Sequence, residues 1–222
     1  MSVPAPDVRR RAARSLGRSS EVLYARARQI LHARGVRGRV ADVGCGHGAL
    51  RAALGGIAGE YIGVDALRFD GFPRDAMFVE ADLDRDPLPI PDRSVDVAVA
   101  LETIEHLENP RRFMRELTRI TRPGGTVLLS TPNQVSVLSL VTLVTRGEFN
   151  AFQDADYPAH LTALLPTDLL RLARECGLDA IEIAWSHHGR IPMTARHFPR
   201  WLSRRFPRAL SGNVLIVARV PL

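Results

Sequence analysis

The chain has 222 residues, of which 45% are hydrophobic and 24% charged, a composition typical of one folded globular domain. It contains no lysine: all 30 basic residues are arginine. This excludes a Walker-type nucleotide loop, Schiff-base chemistry and catalysis by a Tyr/Lys pair. The net charge of +6 is compatible with an anionic partner such as nucleic acid, anionic lipid or a phosphorylated substrate, and equally with an arginine-biased genome.

The cellular location is inferred from the cysteines and the apolar runs. Cys45 and Cys176 are far apart and unpatterned, which indicates a reducing compartment without structural zinc. The apolar run Val135–Val144 has half the roughly 20 residues that a spanning helix needs. The segment Met1–Arg18 is arginine-rich but lacks the apolar core of a signal peptide. We therefore expect a cytoplasmic, bacterial-type protein, with a mitochondrial transit peptide as the alternative.

The first two thirds of the chain alternate between helix and strand patterns. Residues 1–18 are expected to be disordered or loosely helical, and a single domain to span residues 19–222. An amphipathic helix begins at Ser20-Glu21 and ends by Gly35. Apolar strands alternating with helices predict a parallel sheet covered on both faces. The predicted strands are Arg39–Val43, Tyr61–Val64, Met77–Glu80, Val95–Leu101 and Thr126–Ser130, and the clearest intervening helices are Gly48–Gly55 and Asn109–Thr121.

The pattern changes after Pro132. Residues 133–165 combine an apolar helix-like stretch with a polar, acidic loop, which predicts a lid inserted over the edge of the sheet. A further amphipathic helix is predicted at Pro166–Cys176. Two more strands, Ile181–Ala184 and Val214–Val220, are expected to close the sheet as an antiparallel pair.

The loop in V-A-D-V-G-C-G-H-G-A-L, residues 40–50, has glycine at alternate positions 44, 46 and 48. Glycine permits positive φ and close approach of a ligand to the backbone, and such loops bind ligands at the carboxyl ends of parallel strands. The string also fits the dinucleotide pattern G-x-G-x-x-A. However, Asp42 ends the strand just before the loop, where its carboxylate would repel a pyrophosphate.

The next strands also end in acids. Asp65 follows Gly44 by 21 residues, the position from which a carboxylate accepts hydrogen bonds from ribose hydroxyls. Asp82 follows the third strand and can accept the adenine amino group. A ligand with a ribose, an adenine, a cationic centre and an amino-acid tail would suit Asp42, Asp65 and Asp82 together, and S-adenosylmethionine has these parts.

Residues 40–133 then resemble, in order and spacing, the motifs of class I S-adenosylmethionine-dependent methyltransferases. The matching stretches are V-A-D-V-G-C-G-H-G, Y-I-G-V-D, A-D-L-D followed by L-P-I-P-D-R-S-V-D-V-A-V-A-L-E-T-I-E-H-L, and R-P-G-G-T-V-L-L-S-T-P-N. The resemblance implies an α/β Rossmann-like fold: a seven-stranded, mostly parallel sheet with helices on both faces, a lid insertion and an antiparallel last strand. The cofactor-binding residues that it implies are Asp42, Gly44, Cys45, Gly46, Asp65, Ala66, Asp82, Leu83 and Leu101.

The acceptor side of this family follows the fourth strand. Residues 100–107 read A-L-E-T-I-E-H-L, without the Pro-Pro motif of many nitrogen-methylating members, which favours oxygen methylation. Glu102, Glu105 and His106 form E-x-x-E-H, and with His160 from the lid they could hold Mg²⁺ or Mn²⁺. In the alternative without metal, these groups shape the pocket and His106 or His160 is the general base. The predicted catalytic residues are His106, His160 and Glu102.

Two branches of the family share this pattern: the ubiquinone-pathway O-methyltransferases and the small-RNA 3′-end 2′-O-methyltransferases. Both act on adjacent hydroxyls, so a vicinal diol or catechol is the predicted acceptor. The lid pattern G-E-F-N-A-F…Y-P-A-H-L-T-A-L-L-P is also similar to methyltransferases of bacterial glycan and envelope assembly, whose acceptors are sugars on lipid-linked intermediates. An RNA 3′ end and a non-catalytic cofactor-binding role are the alternatives.

The segment 187–208 is basic and aromatic. Its aromatic and arginine side chains fit either an amphiphilic acceptor or membrane surface, or a helix that packs its aromatic side on the sheet and exposes its arginines. These side chains are Arg196, Phe198, Arg200, Trp201, Arg204, Arg205 and Phe206.

Overall fold

The computed structural model describes residues 6–15 and 17–222. Within those residues the strands are β1 Gly38–Val43, β2 Ala58–Asp65, β3 Met77–Glu80, β4 Val95–Leu101, β5 Thr121–Pro132, β6 Asp179–Trp185 and β7 Asn213–Arg219. The helices are α1 Pro6–Arg14, α2 Glu21–Ala33, α3 Ala49–Leu54, α4 Pro110–Ile120, α5 Val137–Arg146, α6 Pro166–Glu175, α7 Arg200–Arg205 and α8 Pro207–Leu210. Short 3₁₀ turns lie at Gly55–Ile57, Ile104–His106 and Asp154–Asp156.

In the described part of the chain the strands form one seven-stranded sheet in the order β3-β2-β1-β4-β5-β7-β6. The pairs from β3 to β5 are parallel, and β7 is antiparallel to both β5 and β6. The predicted mostly parallel sheet with an antiparallel last strand is confirmed. The strand order reverses between β1 and β4, which is where open α/β sheets bind ligands.

Alternate residues of the central strand β4 point to opposite faces of the sheet. Val97 and Val99 pack with α2 and α3, whereas Ala98 and Ala100 pack with α4 and α6. All four side chains are fully buried, so β4 lies between two apolar layers. The helix residues that complete these layers include Leu23, Leu31, Leu50, Leu54, Phe113, Leu117, Leu169 and Leu172.

Strand β5 begins five residues earlier than predicted and ends two residues later. Arg122-Pro123-Gly124-Gly125 has the composition of a turn, yet it lies inside the strand, because the pairing with β4 shifts register between Val95 and Val97. Gly124 has φ +73, so it accommodates this irregularity as most side chains could not. The resulting long strand carries its carboxyl end to Pro132, at the start of the predicted lid.

The N-terminal segment was predicted to be disordered or loosely helical. Helix α1 occupies Pro6–Arg14, with Val8 buried and Arg9 ion-paired to Glu80. The rest of that prediction, on residues 1–5 and 16, lies outside the described residues.

The segment 133–165 holds α5 and the 3₁₀ turn Asp154–Asp156. Its beginning is attached to the C-terminal helices, because the Asn133 side-chain amide donates to the carbonyls of Arg208 and Ser211, both at 2.8 Å. Helix α5 also contacts α8. Among the described residues, no helix combines the length and apolar character required to cross a bilayer.

Candidate functional site

A cavity of about 580 Å³ opens at the carboxyl ends of β1, β2 and β4. This volume falls within the range of about 300–1,000 Å³ that is common for small-molecule sites. The predicted site residues that line it are Asp42, Gly44, Cys45, Asp65, Ala66, Asp82, Leu83, Leu101, Glu102, Glu105, His106 and His160. The topology therefore brings the separate sequence motifs to one place.

Gly46 is the predicted site residue that does not line the cavity. A Cβ on Gly46 would lie 2.0 Å from the backbone oxygen of Gly17, and that same oxygen accepts a hydrogen bond of 3.0 Å from the backbone N–H of His47. The N-terminal segment therefore covers this part of the loop. The implied role of Gly46 in cofactor binding stays a prediction, and in this structure its small size is needed by a neighbouring main chain.

Gly44 has φ +81, and a Cβ there would lie 2.2 Å from Thr103 Oγ1. The Thr103 hydroxyl donates to the carbonyls of Val43 and Leu101, at 3.2 and 3.1 Å. This side chain thereby joins the ends of β1 and β4, and only a glycine at 44 leaves room for it. Sequence reasoning missed Thr103, which is conspicuous only when the two strands are seen to be neighbours.

The carboxylate of Asp42 is buried at the end of β1. It accepts a hydrogen bond from the Tyr61 hydroxyl of the adjacent strand β2. Burial raises the pKa of Asp42 to about 7, although the Tyr61 hydrogen bond acts in the opposite direction. Burial and the negative charge of Asp42 also raise the pKa of Tyr61, so the phenol remains the donor. A cation in the cavity would favour the ionised form of Asp42.

Asp65, at the end of β2, accepts hydrogen bonds from the backbone N–H groups of Gly46 and Ala66, at 2.8 and 2.7 Å. These bonds fix the carboxylate at the rim of the glycine loop, and a carboxylate can accept about four hydrogen bonds in all. Burial raises the pKa of Asp65 to about 6, against the lowering effect of its backbone donors. Asp65 therefore retains acceptor capacity toward the cavity and is ionised at neutral pH.

Asp82 shapes the loop that follows β3. Its Oδ1 accepts from the backbone N–H groups of Asp84 and Arg85, at 3.0 and 3.3 Å, the pattern of an Asx turn. The side chain is buried, and Leu83 beside it also lines the cavity. The structure thus places the third acid next to the first two.

Glu102 has an unusual backbone conformation, with φ +48. Its Oε1 accepts a hydrogen bond of 2.8 Å from the side-chain amide of Asn213 on β7. A positive φ on a residue other than glycine is costly and is often found at functional sites. Asn213 is a second residue that sequence reasoning missed, since it comes more than a hundred positions later in the chain.

Glu105, His106 and His160 form a compact group, with one potential ligand atom from each lying within 4.8 Å of the others. Among the described residues, the compact group does not include Glu102, whose Oε1 accepts from Asn213. The role of Glu102 as a fourth metal ligand stays a prediction. The prediction that His160 meets the E-x-x-E-H turn is supported by a distance of 4.7 Å between the ring centres of His106 and His160.

Glu105 is fully buried, and neither carboxylate oxygen has a hydrogen-bond partner among the described residues. Thr131 Oγ1 is also unpaired in the described part of the chain, and its hydroxyl lies close enough to Glu105 to lower the pKa of that carboxyl, against the larger effect of burial. Burial and the negative charge of Glu102 raise the pKa of Glu105 well above its usual value. An unpaired buried carboxylate is costly, so this group either stays protonated or meets a cation.

Both histidines are oriented by backbone carbonyls. His106 Nδ1 donates to the carbonyl of Ala159 at 2.7 Å, and His160 Nδ1 donates to the carbonyl of Ala151. A neutral imidazole that donates from Nδ1 carries its lone pair on Nε2. This is the arrangement in which histidine binds a metal or accepts a proton.

Backbone hydrogen bonds attach the predicted lid to the E-x-x-E-H turn. The N–H groups of Leu161 and Thr162 both donate to the carbonyl of Glu105, at 2.8 and 3.0 Å. The Thr162 hydroxyl donates to the carbonyl of Leu107 at 2.8 Å. These bonds hold His160 beside His106, and they could not be predicted from residue types because they involve mainly the backbone.

The N-terminal segment forms another wall of the cavity. Sequence reasoning assigned it no role, because tertiary contacts and not periodicity hold it in place. Arg14 Nη1 donates to the carbonyl of Tyr157 at 3.2 Å, which links this segment to the predicted lid. The residues of the segment that line the cavity include Ala12, Arg14, Ser15, Gly17, Arg18 and Ser19.

Comparisons with known proteins agree with this geometry. A family model described as "Methyltransferase domain" matches residues 10–183. A probable S-adenosylmethionine-dependent methyltransferase of Mycobacterium tuberculosis is 30% identical over 204 residues, covering 88% of this chain and 68% of that protein. The ubiquinone biosynthesis O-methyltransferase of Cupriavidus pinatubonensis is 28% identical over 167 residues, covering 65% of this chain and 61% of that protein.

The fold is also similar to that of a solved structure. The crystal structure of a SAM-dependent methyltransferase from Archaeoglobus fulgidus has a TM-score of 0.65 at 19% identity, covering 92% of this chain and 96% of that one. At this identity the likeness concerns the fold alone.

Proposed function

Because this chain belongs to the S-adenosylmethionine-dependent methyltransferases, we propose that it methylates a hydroxyl oxygen of a small or lipid-linked acceptor. The acceptor carries two adjacent hydroxyls, as in a sugar or a catechol-type quinone precursor. The observation that carries this proposal is the group Glu105, His106 and His160, which lies in the wall of the same cavity as the three strand-end acids.

The cofactor fits the donor set of the cavity. Asp65 would accept hydrogen bonds from the ribose hydroxyls, and Asp82 with Leu83 would hold the adenine. Asp42 would place a negative charge in the cavity, and this charge would attract the positively charged sulfonium and ammonium groups of the cofactor. When bound, the cofactor supplies an electrophilic methyl group for an in-line displacement. The remaining residues proposed to contact it are Gly44, Cys45, Ala66 and Leu101.

The acceptor oxygen needs to lose its proton as the new bond forms. In the alternative without a bound cation, His106 or His160 is suited to take it, because each ring carries its lone pair on Nε2 when Nδ1 donates to a backbone carbonyl. Glu102 is held by Asn213 and can orient the acceptor by a hydrogen bond from its second hydroxyl.

A divalent cation fits the group at Glu105. The carboxylate has two unpaired oxygens, and each histidine has a backbone carbonyl that fixes its ring, as metal-binding histidines ordinarily do. We propose that Glu105, His106 and His160 hold Mg²⁺ or Mn²⁺. Such an ion would acidify a coordinated hydroxyl of the acceptor. The ubiquinone biosynthesis O-methyltransferase among the relatives supports the choice of oxygen as the acceptor atom.

The proposal is tested with radiolabelled S-adenosylmethionine and a panel of acceptors: a catechol, a nucleotide-linked sugar, a polyprenyl-linked sugar and a short RNA. We expect transfer to a vicinal diol or catechol, with loss of activity in excess chelator and recovery on addition of Mn²⁺. Full activity in chelator would refute the metal, while transfer only to the 3′ end of the RNA would refute the acceptor class.

Matched histidine variants separate catalysis from general damage. His106→Ala and His160→Ala are each expected to lower kcat by about 100-fold or more, the range of a lost general base or a lost metal ligand. His32→Ala removes an exposed histidine on α2, far from the cavity lining, and should leave kcat unchanged. Equal losses in all three variants would contradict the assignment.

A further inference from the structure

Helix α5 buries two polar residues and exposes aliphatic ones. Ser139 and Thr142 are its buried positions, whereas Val144 is 86% exposed and Leu140 and Val141 are also exposed. A helix on the surface of a globular protein ordinarily shows the opposite arrangement. An exposed apolar stripe of this kind marks a surface that interacts with a membrane or with another protein.

The buried face of α5 is satisfied by hydrogen bonds. The Ser139 hydroxyl donates to Gln134 Oε1 at 3.1 Å and accepts from the backbone N–H of Asn150 at 3.3 Å. Thr142 Oγ1 donates to the carbonyl of Leu138 at 2.8 Å. The Ser139 bonds connect the buried face of α5 to residues just before and after the helix, and Leu140, Val141 and Val144 face outward in the folded protein.

The helices next to α5 combine aromatic and basic residues. Helix α5 contacts α8, which follows α7 in the chain. Trp201 and Phe206 are 71% and 51% exposed, so these aromatics do not pack on the sheet. The arginines of this region, all exposed, are Arg200, Arg204, Arg205 and Arg208.

The charge of the C-terminal part of the chain is strongly one-sided. Residues 183–222 contain seven arginines and no aspartate or glutamate. The run 133–145 that includes most of α5 carries no charged residue at all. An apolar helix without acidic residues, beside an arginine cluster, is the combination that binds at the interface of an anionic membrane.

We propose that α5, α7 and α8 form a docking surface for an anionic lipid bilayer. The exposed aliphatic residues of α5 and Trp201 would enter the headgroup region, while the arginines of α7 and α8 contact lipid phosphates. Nucleic acid would use the arginines but not the aliphatic residues. A second copy seated by two-fold symmetry would bring the arginine clusters together without acidic partners.

This inference goes beyond methyl transfer and does not depend on it. The docking surface includes α5, which belongs to the same segment, 133–165, as the cavity-lining residues Ala155, Tyr157 and His160. A bilayer on this surface would place an acceptor that is anchored in lipid close to the segment that borders the site.

The test is flotation of the purified full-length protein with vesicles. The vesicles are phosphatidylcholine alone or phosphatidylcholine with about 30% phosphatidylglycerol, the anionic lipid supplying the surface charge. We expect binding to the anionic vesicles that weakens as salt is added. Arg204→Ser/Arg205→Ser should lower the partition coefficient by roughly 20- to 30-fold, and Val144→Asp by about tenfold or more.

Two matched controls remove the same chemistry elsewhere. Arg37→Ser/Arg74→Ser deletes two exposed arginines distant in sequence from this surface, and Leu222→Asp adds a charge at the exposed C-terminal residue. Both should float like the wild type. All variants should bind S-adenosylhomocysteine normally by calorimetry, which shows that they fold and keeps this test separate from that of the methyltransferase activity.

Three results would overturn the proposal. The first is equal or absent flotation with both vesicle types. The second is equal loss of flotation in the control variants. The third is a wild-type dimer in light scattering that Val144→Asp converts to monomer, which would make the surface an interface between copies of this chain.

Discussion

Replacing Asp42 with asparagine is expected to stabilise the ligand-free protein at neutral and alkaline pH. Asp42 has a pKa of about 7 in the folded protein against an ordinary value of 3.8, because its carboxylate is buried. A pKa that is raised on folding gives stability below pH 4 that is lost as the pH rises toward 7. Asparagine has no proton to lose and can still accept the hydrogen bond from Tyr61.

The magnitude follows from the same pKa values. Between the two pKa values, the folded protein keeps the Asp42 proton and the unfolded chain has lost it. Over this range the free energy of unfolding of the wild type falls by about 1.4 kcal/mol per pH unit. The advantage of Asp42→Asn should therefore be roughly 1.5–2 kcal/mol at about pH 5 and roughly 4 kcal/mol at about pH 8.5, with little further change above pH 7.

Urea unfolding followed by circular dichroism measures this difference for the two proteins over that pH range. Titrating groups far from Asp42 contribute equally to both proteins and cancel in the comparison. Asp65 does not cancel fully, because its negative charge contributes to the raised pKa of Asp42. A constant difference between the free energies of unfolding across pH, or a variant less stable than the wild type at pH 8.5, would refute the burial of an ionisable carboxylate at this position.

Three further outcomes are expected. Asp42→Asn should weaken the binding of S-adenosylmethionine more than that of the product S-adenosylhomocysteine, as measured by calorimetry. The reason is that only S-adenosylmethionine carries the positive sulfonium charge. Mn²⁺ at about 100 times its Kd should raise the Tm of the wild type by about 5–10 °C, measured by differential scanning fluorimetry. The Tm of Glu105→Gln should hardly change. Equal shifts in the two proteins would exclude Glu105 as a ligand. Gly44→Ala should lower the free energy of unfolding by about 3 kcal/mol or more, because a Cβ meets Thr103 Oγ1 at 2.2 Å. Gly147→Ala, at a left-handed position with φ +80 but nothing within 4 Å, should lose only about 1–2 kcal/mol. Equal losses in urea unfolding would contradict the close approach at Gly44.

Much of the fold could be predicted because its strands are apolar and bounded by clear turn residues. The bounds of Met77–Glu80 and Val95–Leu101 agree with the prediction at both ends. Strand β5 was predicted too short, because Pro123 and two glycines have the composition of a turn. Its actual start depends on a register shift against β4, a tertiary feature that local composition does not encode.

The site could be predicted as far as its acids and histidines, since each follows a strand or lies in a recognisable motif. The partners of these groups could not. Tyr61 reaches Asp42 from the adjacent strand β2, and Asn213 reaches Glu102 from β7. The N-terminal segment escaped prediction because its position depends on contacts such as the one between Arg14 and the carbonyl of Tyr157, far away in the chain.

The central claim is that acids at the ends of neighbouring strands bind an adenosyl cofactor. Isothermal titration calorimetry of the wild type and of Asp65→Ala with S-adenosylhomocysteine tests it most directly. We expect one molecule of S-adenosylhomocysteine to bind per chain of the wild type. Asp65→Ala should lower the affinity by about tenfold or more, since hydrogen bonds from the ribose to a charged acceptor are worth about 1.5–3 kcal/mol. Absence of binding to the wild type, together with clear binding of a nicotinamide dinucleotide, would contradict it.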